Sequence, residues 1–191
     1  MRRERVVTLF GRADLATGSR EYEAAREMGR LLAWAGLSVR TGGYGGAMEA
    51  ASRGALEAGG RTEGVPCRAF AGRSPNGFLS ETLWADDYFG RIRLLMEGAC
   101  GFVAMDPRAG TLAEVTTLWA MSKADLLKGS PMVLVGGEWA RIVSFLKELG
   151  TVDRNLLQCT SIAPGPQEAL AFIRQGLRPT EEDNGYPRQD T

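Results

Sequence analysis

The sequence contains no histidine. That absence removes Ser-His and Cys-His catalytic pairs, histidine general bases and the common zinc constellations. Proton chemistry must then come from carboxylates, Lys, Tyr, Cys or bound water. Cysteine is also scarce: Cys67, Cys100 and Cys159 are odd in number and widely spaced. They fit neither a disulfide framework nor a CxxC metal site, and reduced thiols are expected. There is no excess of either charge, with 23 basic against 23 acidic residues. A general electrostatic attraction to nucleic acid or to an anionic membrane is therefore not expected. No apolar run approaches the ~20 residues that span a bilayer, and no signal-peptide core follows the opening Met-Arg-Arg-Glu-Arg. The expectation is a cytoplasmic protein with no membrane, metal or cofactor requirement.

What the sequence does have is 191 residues, 44% of them hydrophobic, enough for one domain with a real core. Val6-Val7-Thr8-Leu9-Phe10 reads as a buried strand ended by Gly11. Ser19 is a plausible helix N-cap, with Glu21 and Glu23 in the first turn and Gly36 as the stop. Strands are then expected at 37–40, 62–65, 101–105 and 132–135, with helices at 46–58, from Glu81 or Asp86 to Ala99, and at 111–123, 139–149 and 167–177. Apolar runs alternating with helical periodicity predict an α/β domain: a Rossmann-like, doubly wound parallel sheet with helices on both faces. The domain is expected to cover 1–177. From Arg178 the composition turns to Pro, Glu, Asp, Asn and Gly, so 178–191 reads as a disordered tail.

Three segments near strand ends carry suggestive chemistry. Thr41-Gly42-Gly43-Tyr44-Gly45-Gly46-Ala47-Met48 places four glycines in five residues between a strand and a helix. Such a loop lets a backbone approach a ligand closely, although glycines packed for a tight turn would look the same. It is neither a dinucleotide fingerprint nor a Walker A loop, because Met48 replaces the third glycine and no Gly-Lys-Ser/Thr follows. In Asp106-Pro107-Arg108-Ala109-Gly110-Thr111-Leu112-Ala113-Glu114, Gly110 and Thr111 open a helix that offers an anion site. Glu114 can face the same cleft, or it can form a capping box with Thr111 as N-cap. Arg91 and Arg93 lie on the preceding helix, suited to phosphate or carboxylate, or else to a solvated face paired with Asp86, Asp87 or Glu97.

Together these segments resemble the LOG family, often labelled "possible lysine decarboxylase", whose marks are a GGGxxGxM loop and a PGGxGTxxE motif. Gly42-Gly43-Tyr44-Gly45-Gly46-Ala47-Met48 matches the first, and Gly110-Thr111-Leu112-Ala113-Glu114 the latter half of the second. The resemblance implies a homodimer, or a higher homo-oligomer, that binds a nucleoside 5′-monophosphate and hydrolyses its N-glycosidic bond to free base and ribose 5-phosphate. On that resemblance Arg91 and Glu114 are the catalytic pair. Gly42, Gly43, Gly45, Gly46, Met48, Arg108, Gly110 and Thr111 are the nucleotide contacts. The family's Pro-Gly-Gly is replaced by Asp106-Pro107-Arg108. Pro107 removes one amide, and Arg108 would pay roughly 1–2 kcal/mol if a positive φ were needed there. Its charge offers a substitute phosphate contact. The decarboxylase label has little chemical support, because Lys123, Lys128 and Lys147 are not in a recognisable Schiff-base setting. The second reading is a non-catalytic nucleotide or molybdenum-cofactor binding or carrier protein of the same fold.

Overall fold

A computed structural model describes residues 5–127, 129–153 and 156–177. The expected disordered tail, 178–191, lies outside the described residues, as does Lys128. Among the described residues seven strands form one sheet: β1 (Val6–Phe10), β2 (Ser38–Thr41), β3 (Thr62–Gly64), β4 (Glu81–Thr82), β5 (Ala99–Ala104), β6 (Met132–Val135) and β7 (Thr160–Ala163). Their spatial order is β4-β3-β2-β1-β5-β6-β7, and every neighbouring pair is parallel. The chain runs outward from β1 to β4, crosses back beside β1 at β5, and then runs outward the other way. The crevice between the exits of β1 and β5 is where such sheets hold ligands.

Helices α1 (Arg20–Trp34), α2 (Ala47–Glu57) and α6 (Pro166–Gly176) cover one face. Helices α3 (Tyr88–Met96), α4 (Ala109–Lys123) and α5 (Gly137–Glu148) cover the other. Alternation within the strands assigns the faces. Val7, Leu9, Val103 and Val133 pack with Tyr22, Met28, Leu32 and Ile173, whereas Phe10, Phe102, Met132 and Leu134 pack with Leu95, Leu118, Trp119 and Trp139. Both faces being covered explains why these strands read as continuous apolar runs. The Rossmann-like sheet is thus the expected one. No helix among the described residues is long and apolar enough to cross a membrane.

Two strands were not anticipated. β7 (Thr-Ser-Ile-Ala) sits at one edge and is only partly buried, so it lacks an apolar run. β4 is two exposed residues at the other edge, where the sequence pattern allows a helix start. Ala85 N donates to Pro66 O at 3.0 Å and Arg68 N to Ala85 O at 2.8 Å, which holds the chain extended there. The helix starts only at Tyr88, after Asp87 accepts from Gly90 N at 2.8 Å. On α1, Ser19 is the cap, its hydroxyl accepting from Tyr22 N.

Local packing fixes the pieces that reach the crevice. α1 and α2 cross backbone to backbone: a Cβ on Gly29 would lie 2.0 Å from Ala51 O, and one on Gly54 would lie 1.9 Å from Arg26 O. α3 is tied down from the sheet. Thr8 Oγ1 donates to Leu95 O at 2.6 Å, and Arg40 Nη1 donates to Leu94 O at 2.9 Å and Glu97 O at 2.6 Å. The fully buried Trp139 donates its indole N–H to Met105 O, pinning the exit of β5.

Candidate functional site

The exits of β1 and β5 open into a cleft of about 630 Å³. On the β1 side, Arg12 forks onto Asp14, with Nε to Oδ1 at 2.7 Å and Nη2 to Oδ2 at 2.9 Å. The guanidinium hydrogen bond holds the Asp14 carboxyl down at about 2.

On the β5 side the chain turns into α4 through Arg108, whose φ of −110° and ψ of 169° are ordinary extended backbone. The glycine of the related motif is therefore not needed for conformation, and Arg108 carries no strain. Arg108 is the N-cap and supplies no side-chain acceptor to the helix. Arg108, Ala109, Gly110 and Thr111 line the cleft, and the first helical amides have no partner within the helix. The helix begins at Ala109, so Thr111 is its third residue and not its cap. The capping box does not form, and Glu114 turns to the cleft instead.

Glu114 is 9% exposed, and the nearest cation is Arg91, Nη1 to Oε1 at 3.9 Å. Burial pushes its carboxyl up to about 7, with the charge of Arg91 pulling the other way. Arg91 is itself buried and not on a solvated face. Its Nε donates to Val65 O at 2.9 Å and its Nη2 to Gly42 O at 3.4 Å. Asp87 caps its own helix and Asp86 pairs with Arg68, whereas Arg93 is exposed and outside the cleft lining.

The glycine loop divides. Gly42 and Met48 line the cleft; Gly43, Gly45 and Gly46 do not. A Cβ on Gly42 would lie 1.9 Å from Arg91 Nη2, so this glycine makes room for the arginine. Gly46 has φ 65° and abuts the 12–13 backbone, where a Cβ would meet Arg12 O at 2.4 Å. The Ala47 amide at the start of α2 donates to Arg12 O at 2.9 Å, and the Gly43 amide to Thr41 Oγ1 at 3.1 Å. These two amides are occupied within the chain.

The lining also includes Arg12, Asp14, Tyr44, Phe70, Arg73 and Tyr88, none of them among the expected site residues. Tyr44 was visible inside the glycine loop, where an aromatic among glycines was the available signal. Phe70 and Arg73 sit in an aperiodic loop that gives no such signal.

The fold is shared with solved structures. The molybdenum cofactor binding protein from Rippkaea orientalis is 21% identical with a TM-score of 0.73, over 92% of this chain and 98% of that one. TM1055, a structural genomics target, is 27% identical with a TM-score of 0.70, over 91% and 99%. The molybdenum cofactor carrier protein from Chlamydomonas reinhardtii is 25% identical with a TM-score of 0.67, over 91% and 98%. No curated protein sequence matches the chain. The chain belongs to the SLOG cluster4 family, whose model matches residues 4–129.

Proposed function

We propose that this protein binds a nucleoside 5′-monophosphate, or a similarly phosphorylated ring compound, in the switch-point cleft. The observation that carries this reading is the start of α4. Its first-turn residues Ala109, Gly110 and Thr111 line the cleft beside Arg108, with Arg12 on the loop opposite. Helix-terminal amides and arginine forks both suit a phosphate dianion. The charge that Arg108 brings supplements a cradle in which Pro107 has no amide to offer.

A second reading, hydrolysis of the N-glycosidic bond, is favoured by Glu114, a buried carboxyl facing the cleft with no hydrogen bond to any described residue. In its ionised form it can stabilise positive charge developing on the ribosyl carbon and take a proton from the attacking water. Water oxygen bonds to C1′, the C1′–N bond breaks with its electron pair leaving on the base, and solvent supplies the base with its proton. Arg91 is committed to backbone carbonyls and to Glu114. It therefore positions this carboxyl and leaves the phosphate to Arg108 and the start of α4.

The molybdenum cofactor named for two structural neighbours is an alternative cargo. Among the described residues no group of three or more His, Cys, Asp or Glu side chains could hold a metal ion. The arginines and aromatic rings of the cleft suit the organic part of such a cargo.

A homodimer fits the same picture. α3 exposes Phe89 at 81%, and the neighbouring helix on that face of the sheet presents Ala113, Thr116 and Ala120 without a charge among them. A second copy would cover this face, and light scattering on wild type and Phe89→Glu distinguishes dimer from monomer.

The test of function is calorimetric titration with AMP, followed by incubation and chromatography for free adenine, with Glu114→Gln in parallel. Saturable binding with no adenine establishes the binding reading alone. Adenine released by the wild type and not by the variant adds hydrolysis. Absence of binding by AMP, GMP and ribose 5-phosphate overturns both.

A further inference from the structure

Three rings, Tyr44, Phe70 and Tyr88, run along the cleft, with centroids 6.1 Å apart for the first pair and 6.4 Å for the second. Tyr44 is immobilised: its hydroxyl accepts from Cys67 N at 2.8 Å and donates to Cys67 O at 3.3 Å. The loop carrying Phe70 is tied to the glycine loop by Asn76, whose Nδ2 donates to Tyr44 O at 2.9 Å and whose N donates to Gly43 O at 2.8 Å. The rings are thus built on a fixed base.

Two guanidinium groups share the Tyr44–Phe70 pair. Arg91 lies 5.6 and 5.5 Å from the two centroids, and Arg73 lies 5.7 and 5.6 Å from them. Their situations differ. Arg91 is buried and bonded to carbonyl oxygens. Arg73 is exposed, and its contacts among the described residues are these rings, with no carboxylate partner. A planar cation resting on aromatic faces with no other commitment is a replaceable occupant.

We infer that the ligand's planar heteroaromatic ring inserts between the Arg73 guanidinium and the Tyr44–Phe70 pair, which makes Arg73 and Phe70 the residues that select a ring-bearing ligand over a bare sugar phosphate. A ring needs ~3.5 Å of separation on each side, about 7 Å in all. Tyr44 and Phe70 are tilted by 38°, so the ring stacks on one of them. Arg73 stands 5.6 Å from the Phe70 centroid, and a side-chain withdrawal of at least about 1–2 Å is needed to admit a ring on Phe70. With the Arg73 cation over it, the seat favours a neutral, electron-rich ring and disfavours a cationic one. The inference rests on the phosphate-binding reading of the cleft and adds its ring end.

Calorimetric titration of wild type, Arg73→Ala, Arg73→Lys and Phe70→Leu with GMP, 7-methyl-GMP and ribose 5-phosphate tests it. The expected wild-type order is GMP tighter than ribose 5-phosphate and tighter than 7-methyl-GMP, whose ring carries a positive charge. Arg73→Ala should weaken GMP about tenfold and leave ribose 5-phosphate within about twofold. Arg73→Lys, which keeps the charge and loses the plane, should stay close to Arg73→Ala, and Phe70→Leu should also selectively weaken GMP. Equal weakening of GMP and ribose 5-phosphate in Arg73→Ala, or equal wild-type affinities for the two, overturns the ring seat while sparing the phosphate reading. Failure of GMP and ribose 5-phosphate alike to bind removes the phosphate reading and the ring seat with it.

Discussion

Arg91 Nη1 stands 3.9 Å from Glu114 Oε1, near enough for its charge to be felt and too far for a hydrogen bond. The reason lies on the other side of the arginine, where Val65 O and Gly42 O hold its remaining nitrogens. Glu114 therefore loses its water without gaining a hydrogen-bonded partner, and burial outweighs the neighbouring charge.

That balance predicts a pH dependence of stability. The folded carboxyl titrates near 7 against an ordinary value of 4.5, so in between the folded chain holds a proton that the unfolded chain has released. This group makes the protein progressively less stable as pH rises from about 4.5 to about 7, and its penalty is complete above that. Glu114→Gln, which cannot ionise, should gain roughly 2–3 kcal/mol on the wild type at pH 8 and little at pH 4.5. Urea denaturation of both proteins at the two pH values reads this directly. An equal difference at both would show that the carboxyl is not desolvated.

Gly42→Ala should displace Arg91, since the added methyl falls 1.9 Å from Nη2 and 2.7 Å from Met48 Sδ. A loss of about 1–3 kcal/mol in denaturant stability is expected, with weakened nucleotide binding. Unchanged stability would show that the arginine relaxes freely out of its buried site.

Arg108→Ala should weaken AMP and ribose 5-phosphate by the same factor, about fivefold to tenfold, because the contact argued for it is with phosphate alone. The wild-type affinity should also fall more steeply with added salt than that of the variant. Titrations at two salt concentrations check both. A loss confined to AMP would place Arg108 at the base instead.

Trp139→Phe keeps most of the apolar volume and removes the indole donor to Met105 O. The buried carbonyl is then left without that bond, at a cost of about 1–3 kcal/mol. The β5 exit loop loses its pin, so thermal stability should fall together with nucleotide affinity. A stability loss with unchanged affinity would separate the pin from the site.

Much of this architecture is readable from residue pattern. Val6–Phe10 and Met132–Val135 are apolar runs because both faces of the sheet are covered, and the Ser19 cap and the α1 stop follow from local chemistry. β7 is not readable, because Thr160 and Ser161 sit at an edge where burial asks little of them. The convergence of Gly42, Glu114 and Arg91 on one cleft is visible through spaced motifs, whereas their individual bonds are not. Phe70 and Arg73 escape altogether. Their loop reaches the cleft only through strand order, which neither periodicity nor turn chemistry encodes locally.

The glycine contacts between α1 and α2 have a mechanical consequence. With Gly29 against Ala51 O and Gly54 against Arg26 O, the two helices are backbone-locked and move as a single slab, carrying the glycine loop with them. Opening the cleft from that wall would require one whole face of the sheet to shift. Adjustment to an incoming molecule falls instead to the exposed side chains at the cleft mouth, above all Arg73 and Arg108. Exposed rotamers there change within nanoseconds, so the rim can follow a ligand while the floor stands still.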